Sequence, residues 1–277
     1  ADDDLVDGTV SSTTTISVVD AASDNNFDGV ADQTVSVTTA DDDVAGFTVS
    51  ETEGSTGVTE AGGTDTFTIV LNAQPDTNVI LSLISGDTGE ATVTSSLTFT
   101  SANWDTAQTV TVTGVDDHLV DGTEISTITI AVVDVASDNN FDAVADQTVS
   151  VSTTDDDVAG FTIVELEGST AVDESGTTDT FTVVLNAQPD SDVVVAITSS
   201  DTGEASSNSP LTFTSSNWDT AQTVTVTGVD DFLLDGTITS DLVVAIVDAS
   251  SDNNFDGVAD QTVSVTTTDD DVAGFTI

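Results

Sequence analysis

The chain has 277 residues, of which 51 are Asp or Glu and none is Lys or Arg, giving a formal net charge of −51. That charge excludes nucleic-acid binding by phosphate neutralisation, makes anionic membrane surfaces repulsive, and leaves cations as the obvious partners. With no Cys there is neither disulfide stapling nor thiol chemistry.

The first ten residues, ADDDLVDGTV, have no basic or apolar region of the kind a signal peptide needs. No segment approaches the ~20 apolar residues of a membrane span. The chain therefore reads as a mature or excised piece of something larger. The phrase DDDVAGFT begins at Asp41, Asp155 and Asp269, and NWDTAQTVTVTGVDD begins at Asn103 and Asn217, so the period is 114 residues. A repeat of that length suits a whole small domain and not a solenoid coil. Residues 1–43 match the C-terminal part of a repeat, 44–157 and 158–271 are full repeats, and 272–277 match a first strand.

Within a repeat, taken in chain order, GFTVSE opens a strand and DTFTIVLNA alternates with Phe67, Ile69 and Leu71 on one face. TNVILSLIS follows, then LTFT, then QTVTVTGV with Val110 and Val112 on one side. ISTITIAVVDV sets Ile128, Ile130 and Val132 together, and QTVSVST closes the repeat. About seven Thr- and Val-rich strands, without a helical period, predict an all-β fold of immunoglobulin-like Greek-key sandwiches in tandem, stacked end to end. Trp104 and Trp218, at equivalent places, read as core or sheet-edge plugs.

The acids gather where strands should end. SGDTGEA supplies Asp87 and Glu90, GVDDHLVDG supplies Asp116, Asp117 and Asp121, the closing triplet is Asp155, Asp156 and Asp157, and the first strand carries Glu51. Carboxylates about 4 Å apart repel by roughly 4 kcal/mol at an effective dielectric near 20, so such a cluster needs a cation. Several hard oxygen ligands without Cys or His are what Ca2+ selects. A solvated acidic surface explains scattered acids such as Asp65 and Asp76, but not clustering at strand ends. Paired carboxylates also suit a glycosidase. These recur at each domain end, with no aromatic sugar platform and no basic group, so no enzyme is expected. His118 has Asp4 and Phe232 as counterparts, which makes it a variable loop tip.

VTEAGGTDTFTIVL, VTVTGVDDHLVDG and the closing TTDDD resemble the Calx-β domain, a Ca2+-binding sandwich of sodium–calcium exchangers and of tandem arrays on bacterial surface proteins. The resemblance covers almost all of each repeat. It implies Ca2+ ligation at one pole by Asp116 and Asp117, or Asp230 and Asp231. It adds the following acid, Asp121 or Asp235, and the triplets Asp155 to Asp157 or Asp269 to Asp271. A central-loop acid, Asp87 or Asp201, and a first-strand acid, Glu51 or Glu165, complete the set, the last pair about one residue off the pattern.

A second acidic loop, SDNNFDGVADQ, has the spacing of the first nine positions of an EF-hand loop. Its copies carry Asp24, Asn26, Asp28 and Asp32; Asp138, Asn140, Asp142 and Asp146; and Asp252, Asn254, Asp256 and Asp260. No Glu follows at position 12 and strands flank it, so a weaker Ca2+ site and a polar hairpin turn capped by its own Asn and Asp both remain open.

The functional expectation is an extracellular or cell-surface structural protein: a Ca2+-stiffened rod or filament. It would partner copies of itself, by strand donation if the ends are true subunit ends, or as a window on a longer repeat polymer. The alternative is an adhesin module reading a surface glycan or partner cell. The near identity of the repeats favours a spacer.

Overall fold

The computed structural model describes residues 3–166 and 168–275. The chain divides into two compact units, one of residues 1–116 and 125–154, the other of residues 117–124 and 155–277. Among the described residues every regular element is a strand or a short 3-10 turn.

The first unit contains β1 (Val10–Ile16), β2 (Gln33–Thr39), β3 (Phe47–Glu51), β4 (Thr56–Thr59), β5 (Thr64–Leu71), β6 (Val79–Ser85), β7 (Ala91–Val93), β8 (Ser96–Phe99), β9 (Gln108–Gly114), β10 (Thr123–Val132) and β11 (Gln147–Thr154). One sheet runs β3-β5-β9-β7 and the other β4-β11-β10-β6-β8. The second unit repeats this with β12 (Phe161–Glu165), β13 (Thr170–Asp173), β14 (Thr178–Leu185), β15 (Val193–Ser199), β16 (Ala205–Ser207), β17 (Leu211–Phe213), β18 (Gln222–Gly228), β19 (Ile238–Ile246) and β20 (Gln261–Thr268). Its sheets are β12-β14-β18-β16 and β13-β20-β19-β15-β17. Neighbours that are distant in sequence make each unit a two-sheet sandwich of the crossed-over, immunoglobulin-like kind.

The period-2 pattern decides which side chains meet. In β14, Phe181, Val183 and Leu185 point inward and are buried. They meet Val224 and Val226 of β18, and across the sandwich Leu242 and Val244 of β19 and Val263 and Val265 of β20. Each such burial contributes about 1.5–3 kcal/mol against the entropy of ordering the chain. Trp218 is a half-buried plug on this core, as Trp104 is on the core of the first unit.

Two short strands per unit exceed the seven read from the sequence. β7 and β16 are three-residue edge strands beside β9 and β18. β4 and β13 are four-residue strands that pair parallel to β11 and β20, with Thr170 opposite Val265 and Asp173 opposite Thr268. Runs this short carry no periodicity of their own. The parallel pair needs a close approach to the other sheet, and Gly228 permits it. A Cβ there would lie 2.0 Å from the Asp173 carbonyl oxygen, and one on Gly114 would lie 2.0 Å from that of Thr59.

β1 and β2 form a two-stranded antiparallel sheet in the register of β19 and β20, Thr14 opposite Val35 as Leu242 is opposite Val263. Its apolar side chains are open: Val35 is 50% exposed where Val263 is 2% exposed.

Candidate metal centre

Four segments of the second unit end at one pole of its sandwich. β13 runs out at Asp173, and Glu174 N–H, one residue on, donates to Thr268 O of β20 at 3.1 Å. The triplet Asp269 to Asp271 follows β20 directly. β18 ends at Gly228, and the next N–H, of Val229, donates to Glu204 O at 2.9 Å. Glu204 precedes β16 and is thereby drawn to the same pole, together with Asp230, Asp231 and Asp235 after β18.

Several of these acids spend oxygens on backbone turns. Asp269 Oδ2 accepts from Gly236 N–H at 2.8 Å and its Oδ1 from Asp271 N–H at 2.8 Å. These backbone bonds hold its carboxyl below the usual range. Asp231 Oδ1 accepts from Leu233 N–H at 2.6 Å, and Asp201 Oδ1 from Gly203 N–H at 3.0 Å.

Glu174 is different. It is 1% exposed, and neither of its carboxylate oxygens has a hydrogen-bond partner. Glu204, 5% exposed, leaves Oε2 unpartnered, and Asp271 leaves Oδ2 so. One oxygen each of Glu174, Glu204 and Asp235 lie within 4.8 Å of one another, and so do those of Glu174, Asp231 and Asp271. Glu174 therefore belongs to both triplets. Burial, then the charges of Asp269, Asp231, Asp235 and Glu204, push its carboxyl up to about 7. Burial also raises Glu204, with Asp235 and Asp201 next, and raises Asp271, with Asp269 and Asp270 next.

An unpartnered buried carboxylate is costly, and several converging on one point repel. The chain has no Lys or Arg to answer them. The donor set is all oxygen, carboxylate-rich and without Cys or His. It fits a hard divalent cation, and it fits Ca2+ better than Mg2+, which holds its waters and demands strict octahedral geometry.

Of the residues expected from sequence, Asp231, Asp235 and Asp271 lie in the triplets. Asp201, Asp230, Asp269 and Asp270 stand beside them as turn caps or neighbouring charges. Glu165 ends β12, where its Oε2 accepts from Thr170 Oγ1 at 3.0 Å, and it joins neither triplet. Glu51 likewise accepts from Thr56 Oγ1 at 2.9 Å. The counterparts one period earlier fall in both units. Asp87 and Asp116 are in the first, Asp87 capping Gly89 N–H at 2.9 Å. Asp117, Asp121 and Asp155 to Asp157 are in the second. There Asp155 Oδ2 accepts from Asp121 N–H at 3.1 Å and Gly122 N–H at 2.9 Å, and its Oδ1 from Asp157 N–H at 2.6 Å. Burial, then Asp117 and Asp155, raises the Asp121 carboxyl. Glu174 is absent from the sequence expectation, and Glu204 was represented only by its counterpart Glu90 as a loop acid.

The EF-hand-spaced loops are built as turns. Asp252 is 5% exposed; its Oδ1 accepts from Asn254 N–H at 3.0 Å and its Oδ2 from Ser191 N–H at 2.9 Å. Asp138 does the same with Asn140 N–H at 3.0 Å and Thr77 N–H at 2.8 Å, and Asp24 caps Asn26 N–H at 2.9 Å. Asn254 donates its side-chain amide to Val120 O. Asp28, Asp32, Asp142, Asp146, Asp256 and Asp260 are exposed. None of these acids falls in a cluster of three ligand groups among the described residues.

No family model and no curated protein matches the sequence. Among solved structures, CBD12 from CALX1.2 matches at 14% identity over 71% of this chain and 79% of its own, with a TM-score of 0.30. The D0-D1 domain of Intimin matches at 18% identity over 80% of this chain and 97% of its own, TM-score 0.28. Domains 4 and 5 of the S-layer protein SbsC match at 14% identity over 80% and 97%, TM-score 0.34. Likeness at this level does not reach function.

Proposed function

We propose that the chain is a structural repeat protein of an extracellular or cell-surface rod, whose sandwich domains bind Ca2+ through the carboxylates at one pole. The observation that carries this reading is Glu174, buried with both oxygens unpartnered and shared by two carboxylate triplets. In this reading Glu174, Glu204, Asp231, Asp235 and Asp271 hold the cation, and Asp269 fixes the loop that carries Asp235. Bound Ca2+ would supply the positive charge that the chain lacks.

The sequence period extends the proposal. Residues 44–157 and 158–271 are the repeating domains. Glu60, Glu90, Asp117, Asp121 and Asp157 stand at the positions of the five ligands one period earlier in the sequence, so the same pattern of acids recurs after 114 residues. Fixing the carboxylates of each domain end would stiffen the array, and removing the ion would loosen it, because metal binding is coupled to folding.

Calorimetric titration, thermal melting and small-angle scattering test this on the whole chain. Saturable Ca2+ binding is expected, with stabilisation of about 2.7 kcal/mol at a hundredfold excess over Kd. The scattering profile should show greater flexibility after chelation. No binding heat, with melting and scattering indifferent to chelator, overturns the proposal.

A further inference from the structure

Residues 117–124 connect β9 to β10 of the first sandwich, yet they belong to the second compact unit. There His118 O accepts from Gln188 N–H at 2.6 Å, and Leu119 bridges Gln188 in parallel. Val120 packs on the core while its carbonyl accepts from the Asn254 side chain. The His118 ring lies 5.7 Å from that of Trp218, tilted by 58°. Asp117 Oδ1 accepts from Leu119 N–H at 2.7 Å and holds the segment in shape. The same seat is filled one period earlier, inside the first unit. Asp4 O accepts from Gln74 N–H at 2.6 Å, Leu5 bridges Gln74, and Val6 O accepts from the Asn140 side chain at 2.6 Å. In both units the Asn reaches a carbonyl 134 residues before it.

That Asn belongs to the EF-hand-spaced loop, whose geometry suits a peptide and not a cation. Both carboxylate oxygens of Asp252 are taken by N–H groups, of Asn254 at 3.0 Å and Ser191 at 2.9 Å. Phe255, the next residue after Asn254, is fully buried. The Asn254 backbone is thus pinned on both sides, and its side chain presents an amide donor, the opposite of a metal ligand. Gln188 adds a backbone donor beside it and Trp218 an apolar wall, which ring pairing with His118 strengthens. Gln74, Trp104 and Asn140 stand at the same positions in the first unit.

We propose that the SDNNFD loop, with Gln188 and Trp218, is a docking site for the acid-flanked apolar loop of the preceding repeat, and that this docking couples the folding of consecutive repeats. The ligand segment is tethered at both ends to strands of the preceding sandwich, so while that sandwich is folded the segment is presented at high effective concentration. Unfolding the preceding sandwich lengthens the tether and weakens the docking. Each sandwich is then most stable when the one before it is folded, which is nearest-neighbour stabilisation along a repeat array. The proposal rests on the reading of the chain as tandem repeat domains, and not on the cation.

The chain has two Trp residues, so Trp104→Phe leaves Trp218 as a fluorescent reporter of the second unit alone. Urea unfolding of the full chain is followed in that background with chelator present, which keeps cation binding out of the result. Leu119→Asp should lower the Trp218 midpoint by about 1 M, and Asn254→Ala by about 0.5 M. Phe67→Ala empties a fully buried position of the first unit. It should nevertheless lower the Trp218 midpoint by about 1 M, and does so even where the first unit no longer folds. With Leu119→Asp already present, Phe67→Ala should add less than about 0.2 M, because the link it acts through is gone. Where Leu119→Asp stops the second unit folding, Leu119→Ala takes its place in the same cycle. A Trp218 midpoint indifferent to Phe67→Ala, or one that shifts equally with and without the Leu119 substitution, overturns the proposal. Calorimetric Ca2+ binding to the unsubstituted chain is measured alongside. Binding without the coupling refutes the docking alone, and the coupling without binding refutes the cation reading alone.

Discussion

Replacing Glu174 by Gln should flatten a pH dependence whose sign Ca2+ binding reverses. In the metal-free chain the Glu174 carboxyl is pushed up to about 7 from its ordinary 4.5. The unfolded chain therefore gives up this proton first. This group's effect on metal-free stability is most favourable below 4.5, becomes less so as pH rises to about 7, and is flat above. Ca2+ binding needs the same carboxyl charged. A proton competing at that pKa weakens apparent affinity about 1.1-fold at pH 8, about 2-fold at pH 7 and about 11-fold at pH 6. The apparent Kd should thus rise about tenfold from pH 8 to pH 6, and loaded stability should fall as pH drops, opposite to the metal-free trend. Glu174→Gln keeps the shape and removes the charge. It should flatten the metal-free slope, make the metal-free domain more heat-resistant at pH 8, and lower the number of ions bound. Calorimetry in buffers of different ionisation heat reads affinity and proton release together, and calorimetric melting with and without chelator reads stability. A wild-type Kd unchanged between pH 6 and pH 8, or a Gln variant that binds the full number of ions, refutes the assignment.

Gly228→Ala should cost about 3 kcal/mol or more in urea unfolding and abolish binding at this pole, because its Cβ would meet the Asp173 carbonyl at 2.0 Å with no flexible side chain to yield. Asp252→Ala removes the acceptor of the Asn254 and Ser191 N–H groups and should cost about 1–2 kcal/mol. If that loop is a turn, the calorimetric Ca2+ stoichiometry stays at the wild-type value. Phe181→Ala empties a fully buried position of β14 and should cost about 3–5 kcal/mol in the same unfolding assay, with the far-ultraviolet circular dichroism spectrum retained below the transition.

The long strands were legible because their inward residues repeat with period two. Phe67 and Ile69 of β5, Val110 and Val112 of β9, and Ile128 and Ile130 of β10 are all fully buried, as their alternation predicts. The short parallel strand was not, and Glu174 was lost with it. In AVDESG this residue reads as one acid in a turn, and no local pattern says that Thr170 to Asp173 will lie beside residues 265–268. A signal did exist, since an acid occupies the same register in both repeats, Glu60 and Glu174, while the next residue changes from Ala61 to Ser175. The central-loop acid shows the same limit. Asp201 and Glu204 are both acids of DTGEA, but Asp201 is exposed and caps Gly203, whereas Glu204 sits where β16 meets β18 and is drawn inside.

The parallel pairing also explains why a polar pole survives at the end of an apolar core. An antiparallel hairpin would turn its acids out to water at the loop. β13 instead enters from the far side of the sandwich, reaches the pole beside β20, and stops at Asp173, so Glu174 is delivered under the triplet and not at a loop tip. Gly228 lets β18 close against the Asp173 carbonyl at that same end, where Asp231 and Asp235 each bring an oxygen within 4.8 Å of one of Glu174. Four residues of parallel ladder and one missing Cβ thus convert an acidic turn into a buried, unpaired carboxylate, and it is that conversion, and not the acid count, that calls for a cation.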